Sequence, residues 1–358
     1  MKNIILPVIL LALSVDISGQ SPLLNEFIEN YTSEHNFNGT ILIRNNSGII
    51  FQRSFGLANI PFRVANNTYT KYKIASITKA FTAVLILQLS EQGKLDLDKT
   101  INTYLPTYTG IGGNKITIAN LLNMTSGLHN MDEGATLENV LKNGIPQYQT
   151  PYTSDEMLMK YCSDSLVTEP GKVFDYNNAN YIILGKIIEK ISGKSFEENL
   201  EEKILKPLKM ENSGLLAQQK IVDNLADTYF FRDDLNKMVN DLPVYIENWY
   251  AAGAMYSTVY DILKFSDALF GGKLLKQETL NRMFVSGPGE YGLGVWVYKD
   301  YEINHRMFTV IKRPGAIMGA QAMLFHVLEN GTTIIILSNT ATLNMDEFAA
   351  DIAKNAVI

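Results

Sequence analysis

The sequence predicts an α+β fold in which an antiparallel sheet, assembled from both ends of the chain, carries an inserted helical lobe. Three observations point there. Early in the chain, FNGTILIRNNSGIIFQRSFGLAN (residues 37–59) reads as two strands joined by a turn at Asn45-Asn46-Ser47-Gly48. Late in the chain, YGLGVWVY, MFTVIKRPG, AQAMLFHVL and TTIIILSN are four strand-like runs separated by turn residues. Between them the strong patterns are helical. The sheet lobe, an α/β sandwich, is expected at about 20–75 and 285–358, and the helical lobe at about 76–284.

The opening MKNIILPVILLALSVDISG combines Lys2, an apolar stretch from Ile4 to Val15 and small residues at Ser18-Gly19. That is the pattern of a secretory signal peptide over residues 1–19, too short for a membrane span. It predicts an exported chain, periplasmic or secreted, with no membrane span once the signal is removed. Next, SPLLNEFIENYTSEH sets Leu23, Leu24, Phe27, Ile28 and Tyr31 at amphipathic-helix spacing. Ala80–Glu91 is a strongly apolar helix ended by Gly93, and TIANLLNMTSGL a short one capped by Thr117. NANYIILGKIIEKISGKSF is a second strong helix, stopped near Gly193. Residues 215–250 are polar and poorly periodic and read as a long loop. Its aromatics, Tyr229, Phe230, Phe231, Tyr245, Trp249 and Tyr250, either line a pocket or pack the lobe. STVYDILKFSDALF is a helix with Ser257 or Thr258 at its cap, and MDEFAADIAKNAV closes the chain as a helix.

Composition narrows the function classes. Hydrophobic residues make up 46% and charged residues 19% of the 358 residues, the balance of an ordinary globular protein. A net charge of −6 without a basic stripe argues against nucleic acid as a partner. The one cysteine, Cys162, permits no internal disulfide and falls in a helical pattern, where a buried inert thiol is expected. There is no Gly-x-Ser-x-Gly elbow and no His-Glu-x-x-His, and His35, His129, His305 and His326 are scattered. Gly193-Lys194-Ser195 lacks the glycine a phosphate-binding loop needs five positions earlier, where Ile188 stands. Neither a metal nor an organic cofactor is called for. The expected partner is a small-molecule or peptide substrate with an ester or amide carbonyl.

Three places retain chemical interest. Ser76 stands at a helix N-terminus, and Lys79 lies one turn on along the same face. The free N–H groups and dipole there favour an alkoxide or an oxyanion. A lysine can deprotonate serine only where burial or a second cation lowers its pKa, and Ile77, Ala80, Phe81 and Ala83 supply apolar bulk. The alternative is a capping serine and a solvated lysine. Tyr176-Asn177-Asn178 precedes a helix: either Tyr176 serves as acid or base with Asn178 as an orienting amide, or the tyrosine packs and an asparagine caps. In VIKRPGAIMGAQAM, Arg313 stands two before Gly315 and could present a cation and an open strand edge to substrate.

Together and in this order, these segments resemble the serine β-lactamase and penicillin-binding-protein superfamily, in its class C β-lactamase, DD-peptidase and esterase branch. The resemblance covers nearly the whole mature chain and includes EPGKVFDYNNANYIILGKIIEKISG, AAGAMYSTVYDILKF and YGLGVWV. It implies a β-lactamase/transpeptidase-like fold. It makes Ser76 the acylated nucleophile, Lys79 its proton partner, Tyr176 the general base or acid, and Asn178 an amide orienting lysine and substrate. The oxyanion hole would be the backbone N–H groups of Ser76 and Ala316. The third motif departs from the family's usual Lys-Thr-Gly or His-x-Gly. Arg313-Pro314-Gly315 keeps a cation but lacks the hydroxyl that would hold a substrate carboxylate, and strand alternation turns Lys312 to the opposite face. Proline there fits a strand edge bordering a cleft. The resemblance thus implies an exported serine hydrolase: an esterase, a D-amino-acid peptidase or DD-carboxypeptidase, or a β-lactamase-type enzyme. The altered motif favours the esterase or a peptidase of other specificity. The alternative is a non-catalytic or slowly acylating penicillin-binding or sensor protein.

Overall fold

The computed structural model describes residues 22–232 and 234–357. The expected signal peptide lies outside the described residues. Helix α1 (Pro22–Glu34) leads into a hairpin of β1 (Gly39–Asn45) and β2 (Gly48–Phe55). Helices α2 (Thr78–Glu91) and α3 (Asn178–Ser192) follow, then a second hairpin of β3 (Tyr229–Arg232) and β4 (Lys237–Asn240) and helix α4 (Val259–Phe270). Strands β5 (Trp296–Ile303), β6 (Arg306–Ile317), β7 (Ala320–Val327) and β8 (Thr332–Ser338) come next. The short β9 (Thr340–Ala341) and helix α5 (Met345–Ala356) complete the framework.

The main sheet has the order β5-β6-β7-β8-β1-β2 with every neighbouring pair antiparallel, so its strands come from both ends of the chain. Both faces are covered, which is why β8 reads as a continuous apolar run rather than an alternation. Ile334 and Ile336 face a core beneath α1 and α5, whereas Ile335 and Leu337 face the helical lobe. Helix α2 is apolar all round because it is buried all round, Lys79 included. Its Phe81 stacks on Phe265 of α4 at 3.8 Å. Deleting either ring would cost about 3–5 kcal/mol. Among the described residues no helix is long and apolar enough to cross a membrane.

The local signals hold at most of the ends. Thr117 caps its short helix through a reciprocal pair with Asn120, Thr258 caps α4, and Gly193 terminates α3 in the left-handed conformation at φ 70°. Two readings are corrected. The supposed loop 215–250 contains the β3–β4 hairpin, and β3 pairs in parallel with β9 (Tyr229 with Thr340). Strands of four residues carry too little alternation to be read, and the partner lies over a hundred residues away. The run YGLGVWVY becomes strand only from Trp296, because Gly294 at φ 92° breaks the extension, and β5 then continues to Ile303. Trp249 packs face to face on Tyr148 at 3.5 Å within the lobe. Cys162 is buried, and burial pushes its thiol up.

His326 on β7 is an interior group with a pH consequence. Its ring stacks on Phe270 at 3.7 Å and its Nδ1 shares a 2.8 Å hydrogen bond with Thr333. Burial, with the Arg44 cation nearby, pulls the imidazole down to about 3. The unfolded chain takes up a proton near pH 6.5, which the folded chain refuses until about 3. Stability contributed by the neutral ring is therefore complete above the unfolded value and is lost as pH falls through that window. The loss amounts to a few kcal/mol, at roughly 1.4 kcal/mol per pH unit. In urea titrations, His326→Phe is expected to lose less stability than the natural chain between about pH 6.5 and 4. Equal losses would contradict this.

Candidate active site

The turn before α2 is built by contacts rather than by capping. Tyr72–Lys73 form a short strand, Ala75 takes φ 46°, and Ala75–Ile77 make a single 3₁₀ turn running into α2. A left-handed alanine costs roughly 1–2 kcal/mol. The surroundings impose it: Ile74 N–H donates to Met255 at 3.0 Å, and Thr78 Oγ1 donates to Ala75 O at 2.7 Å. Strand β6 presses on the same turn. A Cβ on Gly315 would stand 2.4 Å from Ile74 O and 3.0 Å from Ser76 N, so only glycine allows the approach. Ser76 caps nothing, and its hydroxyl is left to Lys79.

Lys79 is fully buried, and its ammonium donates to Ser76 Oγ at 2.9 Å, Asn178 Oδ1 at 2.7 Å and Ala252 O at 2.8 Å. The two adjacent asparagines divide the work. Asn177 caps α3 by accepting from Ala179 N–H, which leaves Asn178 for the lysine. Asn178 Nδ2 is held by Asp132 at 2.7 Å and Tyr148 OH at 3.3 Å, so its carbonyl oxygen is fixed toward Lys79. The amide expected to donate to a substrate carbonyl is thus engaged by Asp132.

Arg313, expected to meet substrate, is fully buried behind the site. Its Nε donates to Ser76 O at 2.6 Å, Nη1 to Tyr291 OH at 3.0 Å and Nη2 to Tyr176 OH at 2.5 Å. Aromatic rings enclose it: Trp296 lies 5.0 Å from the guanidinium and stacks on Tyr176. Tyr176 therefore has a guanidinium on one side and the Lys79 ammonium, 4.9 Å from its ring centre, on the other. Burial foremost, with Arg313 adding, brings Lys79 down to about 8. Burial alone would raise the Tyr176 phenol, but the Arg313 and Lys79 cations together overcome it and bring it to about 8 as well. The two groups titrate as a pair. The Ser76 hydroxyl thus has, within one hydrogen bond, a group that titrates near the working pH, as a general base should.

Ser76, Tyr176, Trp296, Gly315 and Ala316 line a cleft of about 370 Å³ whose far wall is the first turn of α5. The β5–β6 pairing stops at Trp296–Lys312, so residues 313–317 present an open edge there, and Pro314 costs no ladder bond on that side. Lys312 faces α5 and donates to Asp346 at 2.7 Å. Among the described residues lining the cleft there is no lysine, arginine or histidine, and its one carboxylate, Asp346, is already paired. Among the described residues no His, Cys, Asp and Glu group is arranged to hold a metal ion. Sequence reasoning missed Tyr291, Trp296, Asp132 and the Ala252 carbonyl. Tyr291 and Trp296 both stand in YGLGVWVY, whose pattern gives a strand and a family resemblance but no role for either side chain.

A family model described as Beta-lactamase matches residues 24–357. The Bacillus subtilis protein PbpX, named for penicillin binding, is 32% identical over 314 residues, covering 87% of this chain and 73% of that protein. The teichoic acid D-alanine hydrolase of Staphylococcus aureus is 24% identical, with 87% and 72% covered. Among solved structures, a penicillin binding protein from Bacillus halodurans superposes with a TM-score of 0.75 at 25% identity, covering 91% and 98% of the two chains. The D-amino acid amidase of Ochrobactrum anthropi, at 22% identity, shares the fold with a TM-score of 0.77 over 93% and 98%.

The geometry predicts a pH profile. Were Ser76 to attack a carbonyl, it would need the unprotonated form of the Lys79–Tyr176 pair, so kcat/KM for a neutral ester should rise with pH and level off through an apparent value near 8. The Arg313 cation holds both groups down, so Arg313→Gln should move that limb to higher pH and lower the rate at neutrality. A limb unmoved in the variant, or a profile flat between about pH 6 and 9, contradicts the assignment.

Proposed function

The chain belongs to the beta-lactamase family of serine hydrolases, and from that membership we propose that it cleaves an ester or amide through an acyl-enzyme on Ser76. The observation that carries the proposal is the buried Lys79 ammonium, 2.9 Å from the Ser76 hydroxyl and fixed by Asn178 and Ala252. Ser76 Oγ attacks the carbonyl carbon while its proton passes to the Lys79–Tyr176 pair. The N–H groups of Ser76 and Ala316 receive the oxyanion. As the tetrahedral intermediate collapses, the bond to the leaving group breaks and the pair returns the proton to it. Water then attacks the acyl carbon and gives its proton to Tyr176; as the acyl–Oγ bond breaks, that proton passes to Ser76 Oγ and the acid is released. Each positioned acid or base contributes about 10²–10⁴-fold, and an oxyanion donor about 10²–10³-fold.

The chemistry of the cleft supports a substrate class. A carboxylate beside the scissile carbonyl would meet no free cation, since Arg313 is enclosed and Lys312 is paired with Asp346. Neutral acyl groups suffer no such penalty, and an α-amine, which titrates at about 8, can enter in its unprotonated form. D-Aminoacyl esters and amides fall in this class, and the resemblance to a teichoic acid D-alanine hydrolase is consistent with it. Export, supported by the leader-like residues 1–19, would bring the enzyme to cell-envelope substrates. Slow acylation by penicillin is the second reading, favoured by the 32% identity to PbpX.

The expected result is turnover of p-nitrophenyl butyrate and of a D-alanyl ester by the mature chain, falling by roughly 10³-fold or more in Ser76→Ala. Intact-mass spectrometry should find benzylpenicillin adding to Ser76 more slowly than these esters turn over. Ser76→Ala at wild-type rates would end the proposal. Slow stoichiometric penicilloylation of Ser76 without ester turnover would favour the second reading.

A further inference from the structure

Behind the cleft, the hairpin β3–β4 reaches the two pieces of backbone that frame the oxyanion site. Just past β4, Asp241 Oδ1 accepts from Gly319 N–H at 2.8 Å. Gly319 lies in the tight turn between β6 and β7, three residues after Ala316, and its neighbour Met318 has φ 50°. The hairpin backbone sits directly on that turn, because a Cβ on Gly319 would stand 2.1 Å from Tyr229 O. On the other side, Lys73, three residues before Ser76, donates from Nζ to Thr228 Oγ1 at 2.8 Å. Thr228 is tied to Asp241 through the Asp241 N–H to Thr228 O bond at 3.3 Å. Asp241 is the first among the carboxylates acting on the Lys73 ammonium, ahead of Asp227. Burial raises Asp241, and Thr228, Lys73 and the Gly319 N–H oppose it. None of these groups lines the cleft.

We propose that Asp241 is a positioning residue for the oxyanion site: held by the Lys73–Thr228 side, it pins the Gly319 turn and so fixes Ala316 against Ser76. The pin is needed because β6 has no β5 partner beyond Lys312, so residues 313–317 are held in the sheet by β7 alone. A turn free to shift carries Ala316 with it, and a displaced donor no longer meets the oxygen of the tetrahedral intermediate. Binding of the ground-state ester, which does not depend on that donor's placement, is little affected.

The proposal rests on Ser76 and Ala316 forming the oxyanion site, and its test separates the two. In Asp241→Ala, kcat for p-nitrophenyl butyrate is expected to fall about ten- to a hundredfold, with KM within about threefold. Inhibition by phenylboronic acid, which mimics the tetrahedral state on serine, should weaken by a similar factor. Asp241→Asn keeps an oxygen for Gly319 N–H without the charge, and is expected to recover most of the lost kcat. A purely structural role would lower the melting temperature of both variants while leaving kcat and boronate affinity unchanged, and that result overturns the proposal. If the natural enzyme neither turns over the ester nor binds the boronate, the catalytic reading fails and this inference fails with it.

Discussion

Two cations share one buried phenol. Lys79 and Arg313 are both fully removed from water, and Tyr176 lies between them. Burying like charges so close is costly unless something answers them, and a phenolate is the group at hand to do so. Tyr181 is instructive by contrast: it too is buried near Lys79, at 5.7 Å, yet burial pushes its phenol well above the ordinary range. Arg313 lowers both phenols, but it donates directly to Tyr176, where Lys79 and Ser76 add to it, whereas Tyr291 pushes Tyr181 further up. The arrangement also explains the polar groups around it. Asp132 fixes Asn178, Asn178 and Ala252 fix Lys79, and Tyr291 OH and Ser76 O accept two further Arg313 hydrogen bonds.

Strand β6 brings this arrangement to the cleft. Within four residues it places a cation behind the tyrosine (Arg313), a bare edge (Pro314), a close contact with the Ser76 turn (Gly315) and a cleft-lining residue (Ala316). Replacing the usual hydroxyl of the third motif by proline removes one hydrogen-bond donor from the cleft. Turning Lys312 toward Asp346 removes a positive charge from it as well. A cleft without free charge penalises a carboxylate through desolvation more than it penalises a neutral acyl group.

Much of this was legible in the residues. The sheet from both ends and the helices between them follow from β-branched apolar runs bounded by turn residues, as in β8, and from 3.6-residue patterns, as in α3. Ser76 and Lys79 could be paired because one helical turn relates them, and Lys312 and Arg313 could be assigned to opposite faces because a strand alternates. The β3–β4 hairpin was not legible: its strands have four residues each and its outer partner, β9, has two. Nor was the burial of Arg313. Alternation gives its face, but the acceptors that fill its guanidinium come from positions 76, 176 and 291, brought together only by the fold. The Asn177–Asn178 ambiguity had the same origin, since which one caps is decided by where Lys79 and Asp132 lie.

The central claim is that Tyr176 is held near neutrality by two cations, and NMR of the chain carrying 13Cζ-labelled tyrosine tests it most directly. Among the eighteen tyrosines, the resonance absent from Tyr176→Phe identifies the phenol, and its shift with pH reads the titration without any substrate. The account predicts a midpoint near 8, with the other buried phenols Tyr148, Tyr181 and Tyr291 unchanged over the same range. A Tyr176 resonance that stays protonated up to about pH 10, the ordinary tyrosine value, would contradict it.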